Sequence, residues 1–312
     1  MGKVIAVCNQ KGGVGKTTTS INLSASLALS GARTLLIDLD PQANATSGLG
    51  IDKKTIIQSI YHVLIESHPL RDIIRDAGID NLFVAPSNTQ LTGAQIELVN
   101  AFNREQRLKN GLTPISQDYD FILIDCPPSL GLLTINALTA ANTILIPLQC
   151  EFYAMEGLTQ LLQTIKLVHD HLNQGLTIEG VVLTMADYRT NLTNEVINEA
   201  KKFFTDKIYQ TVIPRSVRLS EAPGHGKPVI LYDKNSNGAM AYQQLATELL
   251  DYNHFNDNKK QEINHEIHIE STDEHEGDNK KTQNTCQGVN ATTVTEAEAE
   301  PDRAEHNGGG NG

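Results

Sequence analysis

Residues 8 to 18 read Cys8-Asn9-Gln10-Lys11-Gly12-Gly13-Val14-Gly15-Lys16-Thr17-Thr18, and the spacing of their glycines and lysines sets what the rest of the chain must build. The ordinary phosphate-binding loop is G-x-x-x-x-G-K-[ST]. Counting back from Gly15-Lys16-Thr17 puts Gln10 where its first glycine should stand. The pattern present is K-G-G-x-G-K-T, in which Lys11 supplies a second cation close to the phosphates.

The flanks are those a phosphate cradle needs. Val4-Ile5-Ala6-Val7 is a short apolar run of the buried-strand kind, and residues 18–30 carry Ile21, Leu23, Leu27 and Ala28 at mostly helical spacing. The glycines therefore fall in a strand-to-helix turn. Gly12, Gly13 and Gly15 permit backbone conformations that turn the N–H groups of the stretch Lys11 to Thr18, Val14 included, toward an anion. The positive end of the following helix faces the same point. Lys16 would reach the β- and γ-phosphates of a nucleotide, and the Thr17 hydroxyl would coordinate Mg²⁺.

Outward from the loop, apolar runs recur at residues 34–37, 82–85, 121–124, 143–147, 180–184 and 208–213, with helix-period stretches at 56–66, 132–141, 158–172, 194–204 and 239–250. Strands that are apolar along their length and alternate with helices specify a parallel sheet covered on both faces. The expected fold is one doubly wound α/β domain over residues 1–254, with ligands at the carboxyl ends of the strands. From about His254 the apolar content falls away. Residues 255–312 hold 13 acidic and 5 basic residues, a net −8 of the total −12. That composition predicts an acidic disordered tail, either a solubilising extension or an electrostatic decoy. The folded part keeps only −4, which leaves room for a basic patch.

With 39 % hydrophobic residues over 312, the chain can bury a full core. Cys8, Cys126, Cys150 and Cys286 lie far apart with no C-x-x-C pair. They read as reduced thiols of a cytoplasmic protein, Cys8 and Cys126 serving as small buried hydrophobes. No apolar run approaches the ~18 to 20 residues that span a bilayer, and no secretory leader is evident.

Three carboxylates fall at strand ends. Asp125 closes Phe121-Ile122-Leu123-Ile124, the place where a carboxylate orients Mg²⁺ directly or through water; a structural aspartate is the alternative. Asp38 and Asp40 close Thr34-Leu35-Leu36-Ile37, and Asp40 before Pro41 could equally be a turn-initiating residue.

These motifs together resemble the ParA/Soj chromosome and plasmid partitioning ATPases, within the ParA/MinD group whose signature is the deviant Walker A loop. The resemblance rests on Lys11 to Thr18, Asp38-Leu39-Asp40-Pro41-Gln42, the stretch Phe121 to Ser129 and Ile213-Pro214-Arg215-Ser216-Val217-Arg218, and extends to about Tyr252. It implies a Mg²⁺-dependent ATPase. Asp38 would belong to the metal shell with Thr17 and Asp125, and Asp40 would orient the attacking water. Lys16 and Lys11 would act at the phosphates, Lys11 reaching the partner subunit's nucleotide in an ATP-sandwich homodimer, or else only its own phosphates or solvent. Pro214 would lie beside adenine. Gln42, Asn44 and Pro127-Pro128-Ser129 are candidate γ-phosphate sensors.

The same resemblance implies non-specific DNA binding at the nucleoid, through Arg189 and Arg218, and a ParB-type centromere-binding partner that stimulates hydrolysis. By composition alone, residues 186–235 carry 8 basic and 6 acidic side chains, which also describes an ordinary solvated face. Two other readings share the scaffold. A MinD-like membrane-associated regulator needs a basic amphipathic C-terminal helix, where this chain has an acidic tail. An iron–sulfur carrier needs clustered thiolates, and Cys126 and Cys150 are 24 residues apart.

Overall fold

The computed structural model describes residues 2–151 and 156–253; the expectation for residues 255–312 lies outside the described residues. Eight strands form one sheet: β1 (Lys3–Val7), β2 (Thr34–Asp38), β3 (Arg75–Ile79), β4 (Leu82–Ala85), β5 (Phe121–Asp125), β6 (Thr143–Gln149), β7 (Thr177–Ala186) and β8 (Ile208–Pro214). Their order is β3-β4-β2-β5-β1-β6-β7-β8. Every pairing is parallel except β3 with β4. This is the doubly wound P-loop architecture.

Alternation along the strands splits the core into two layers, as a sheet buried on both faces requires. Val4, Ala6 and Cys8 share one layer with Ile122, Ile124 and Cys126. Helices Leu132–Ala140, Glu156–His171 and Asn191–Phe204 cover that face. Ile5, Val7, Leu36 and Leu123 point the other way, under the helix α1 (Lys16–Leu29) and the helical residues 237–253. Tyr242 of that last helix is fully buried, and its hydroxyl lies 3.0 Å from Thr19 Oγ1 on α1. The C-terminal helix therefore clamps the helix that begins at the phosphate loop.

Seven strands match the apolar runs to within a few residues. The unexpected one is β3, Arg75-Asp76-Ala77-Gly78-Ile79, an antiparallel edge strand whose side chains are mostly partly or fully exposed. An edge strand with one covered face carries no apolar run, so it leaves no run to read. The helix expected over residues 56–66 starts only at Ile60. Ser59 caps it there, and the ring of His62 returns a bond to the Ser59 backbone N–H.

Candidate functional site

The register places the site. Val7 and Asp38 both stand opposite Asp125, on the strands either side of it, so the phosphate loop leaves the sheet beside two buried carboxylates. Gly13 and Gly15 take φ of 77° and 87°, the left-handed region that glycine enters without steric cost. Gly12 is different: its φ is ordinary and an added Cβ would meet nothing within 4 Å. Its lack of a side chain answers no steric demand among the described residues.

Two bonds hold the loop in shape. Lys16 Nζ donates to the Lys11 carbonyl at 3.0 Å, curling the loop around the ammonium. The Thr184 hydroxyl on β7 donates to the Val14 carbonyl at 2.9 Å. Lys16 is buried, which lowers its pKa, and the charge of Asp125 works against that shift. A desolvated ammonium at the mouth of a ring of N–H groups favours an anionic ligand strongly, since little water has to be displaced from it.

Asp125 accepts from Ser20 Oγ at 2.8 Å, while its Oδ2 is buried without a hydrogen-bond partner among the described residues. Burial and the neighbouring Asp38 push its carboxyl up to about 8. An unsatisfied buried carboxylate oxygen costs free energy that a cation would recover. Together with the Thr17 hydroxyl at the first turn of α1, this is a hard-oxygen donor set that suits Mg²⁺.

Asp38 is engaged differently. Its Oδ2 accepts from the Thr46 backbone N–H and hydroxyl, both at 2.7 Å, and its Oδ1 accepts from the Asp40 N–H at 3.1 Å. Its pKa is raised to about 6, burial outweighing those bonds. It thus pins the loop 39–46 to the sheet edge. Within that loop Asp40 Oδ1 accepts from Gln42 N at 2.9 Å, the turn-forming bond, and the Asp40 carbonyl accepts from Ser87 Oγ.

Lys11 is partly exposed, and its Nζ lies 3.4 Å from Glu151 Oε2; Glu151 Oε1 is 3.7 Å from Arg215. Pro214 ends β8 opposite Ala186, away from the carboxylates. Arg189 and Arg218 are exposed, but each is paired within the chain. Arg189 Nε donates to Asp187 at 2.7 Å, and Arg218 reaches Glu221 at 2.9 Å and Asp233 at 3.3 Å. The site therefore gathers Lys11, Lys16, Thr17, Asp38, Asp40 and Asp125, while Pro214 and the two arginines stand at the ends of the last two strands.

Four contributors carry no motif: Ser20, Thr46, Thr184 and Glu151. Ser20 alone left a trace, because it lies four residues after Lys16 on the same helix and so on the same face. The others meet the site across 8 to 170 positions of chain.

Comparison with known proteins identifies the family. A family model described as an AAA domain matches residues 2–178. The chain is 61 % identical over 249 residues to the sporulation initiation inhibitor protein Soj of Bacillus subtilis, covering 80 % of this chain and 98 % of that one. The chain belongs to the ParA/Soj family of chromosome-partitioning ATPases. The chromosome partitioning protein ParA of Myxococcus xanthus is 52 % identical over 80 % of this ParA/Soj chain and 88 % of its own length. Among solved structures, cobyrinic acid a,c-diamide synthase of Mycobacterium smegmatis with bound ADP and magnesium superposes with a TM-score of 0.70 at 37 % identity, over 80 % of this chain and 94 % of that one. No helix among the described residues is long and apolar enough to cross a membrane.

Proposed function

We propose that this ParA/Soj protein is a Mg²⁺-dependent ATPase whose ATP-bound homodimer holds DNA and releases it on hydrolysis. The observation that carries the reading is the convergence of buried Lys16 and the unpartnered Asp125 Oδ2 behind a loop with left-handed Gly13 and Gly15. The N–H groups of residues 11–18 and the Lys16 ammonium bind the β- and γ-phosphates. Thr17 and Asp125 would hold Mg²⁺, which when bound would offset phosphate charge, and Asp38 keeps the loop 39–46 beside that site. Asp40 orients the attacking water. Pro214 flanks the adenine.

Lys11 leaves Glu151 and crosses to the nucleotide of the second subunit, stabilising charge on the transferred phosphoryl group. The open space at Gly12 supports this, because that space is available to a second copy. Arg189 and Arg218 contact DNA phosphates from both subunits, without sequence preference. A ParB-type centromere-binding protein stimulates hydrolysis at the nucleoid. Residues 1–254 form the ATPase domain and 255–312 an acidic extension.

Salt-titrated DNA binding in ATP, ADP and no nucleotide tests the reading, with Gly12→Val alongside wild type. The expected result is salt-sensitive binding by wild type in ATP alone. Gly12→Val should bind ATP with near wild-type affinity, remain a monomer in sedimentation and fail to hold DNA. DNA binding of equal strength in all three conditions would overturn the proposal.

A further inference from the structure

Beneath the phosphate loop lie two groups that ATP hydrolysis does not use. Cys8 and Cys126 follow directly on Val7 and Asp125, which are register partners on β1 and β5. Neighbouring strands run about 4.8 Å apart, inside the Cα separations of about 4.4–6.8 Å that a disulfide accepts. Both side chains point into the same core layer, with Ala6 and Ile124. Their sulfurs are 2.7 Å apart, and both are free thiols. The Cys126 N–H also donates to the Val7 carbonyl, so backbone bonding already holds the pair together.

We propose that Cys8 and Cys126 are a thiol modification site, a pair that a peroxide converts to a reversible disulfide joining the root of the phosphate loop to the root of the Asp125 strand. One thiol attacks a peroxide oxygen, yielding a sulfenic acid and water. The second sulfur then attacks the sulfenic sulfur, and the hydroxyl leaves as water with the second thiol's proton. Each sulfur loses one electron and the peroxide gains two, so two thiols and one hydrogen peroxide give one disulfide and two waters. A dithiol reductant reverses the bond by exchange.

The location gives the modification its effect. Cys8 is immediately followed by Asn9, whose carboxamide accepts from the Lys11 N–H at 3.0 Å and donates to the Pro147 carbonyl at 2.7 Å. A covalent link at Cys8 therefore restrains the start of the loop that carries Lys11. It also closes a ring of more than a hundred residues, which narrows the unfolded ensemble more than a short loop would. Both thiols are buried. Oxidation is therefore slow, because peroxide reaches the pair only when the loop above opens.

The test uses the full-length chain with Cys150→Ser and Cys286→Ser, treated with hydrogen peroxide and then alkylated under denaturing conditions. The expected product is 2 Da lighter, carries no alkyl label, and yields a digest containing the Cys8 and Cys126 peptides linked. Dithiothreitol should restore two labelled thiols. Amide exchange over residues 9–15 should slow in the oxidised form, and the Tm should rise by several degrees. Cys8→Ala and Cys126→Ala are each expected to abolish the 2 Da loss. Two alkylated thiols after peroxide, or stable sulfinic acid with no linked peptide, would overturn the proposal. The linked-peptide readout needs no cysteine-to-alanine variant at the pair, so it stands even if one of those variants fails to fold.

Discussion

The carboxylate edge and the arginine corner sit at the same ends of the strands, yet they are built on opposite principles. At the edge, Asp38, Asp125 and Lys16 are buried and held at unfavourable protonation equilibria, and one carboxylate oxygen has no hydrogen-bond partner among the described residues. At the corner, Arg189 and Arg218 are solvated and already satisfied by Asp187, Glu221 and Asp233. The first region is incomplete without a ligand. In the second, three carboxylates already answer two guanidinium groups. A single chain thus carries one region poised by desolvation and another whose arginines are engaged in local ion pairs, which are individually weak when exposed.

The largest effect should come from the edge. Lys16→Ala removes the ammonium from the loop and its bond to the Lys11 carbonyl. ATP affinity should fall by at least about 100-fold, since a charge-assisted contact in a desolvated site is worth several kcal/mol. Calorimetric titration measures it. Near wild-type affinity would mean that the poised edge is not the nucleotide site.

At the corner the effect should be graded rather than absolute. Each cation withdrawn from a phosphate lowers the salt slope of DNA binding by about one unit, and a homodimer carries every substitution twice. Arg189→Ala should therefore lower the slope by about two, and Arg189→Ala/Arg218→Ala by about four. ATPase activity without DNA should stay near wild type. A double variant that binds DNA as wild type does would erase the distinction between the two regions.

The smallest effect sharpens the claim that the edge is poised. Asp38 and Asp125 titrate near 6 and 8 in the fold, against 3.8 for an ordinary aspartate. Between about pH 4 and 8 the folded protein binds more protons than the unfolded chain, so stability without nucleotide is greatest below pH 4 with respect to these groups. It falls as pH rises through the folded values. Asp125→Asn removes much of that loss. Its Tm at pH 8 without nucleotide or metal should exceed wild type by a few degrees, with the gap closing toward pH 5. Thermal melts across that range decide it, and an equal or lower Tm at pH 8 would contradict the assigned cause.

What the sequence disclosed follows the same division. The loop, Asp125 and the seven apolar strands were legible because each is local: a motif or a run of side chains states its own geometry. β3 was hidden because an edge strand such as Arg75–Ile79 has no apolar run to show. The partners that shape the site were hidden for another reason. Thr184 on Val14 and Glu151 beside Lys11 are brought in by the strand order, Thr46 beside Asp38 by the turn of the chain eight residues on, and none carries a motif. The nearness of Cys8 to Cys126 belongs to the same class, because two isolated cysteines 118 positions apart become neighbours only once β1 and β5 are known to pair.

Thr184 has a wider bearing than holding a loop. Two residues after its hydroxyl grips the Val14 carbonyl, Ala186 accepts the Arg215 N–H, and three residues beyond that comes Arg189. The end of β7 thus ties to the phosphate cradle at Thr184 and, past a left-handed Met185 (φ 54°) and a turn at residues 188–189, leads to the exposed Arg189. Cradle and basic corner are five residues apart along one segment, and the bend at Met185 with the turn that follows is the joint between them.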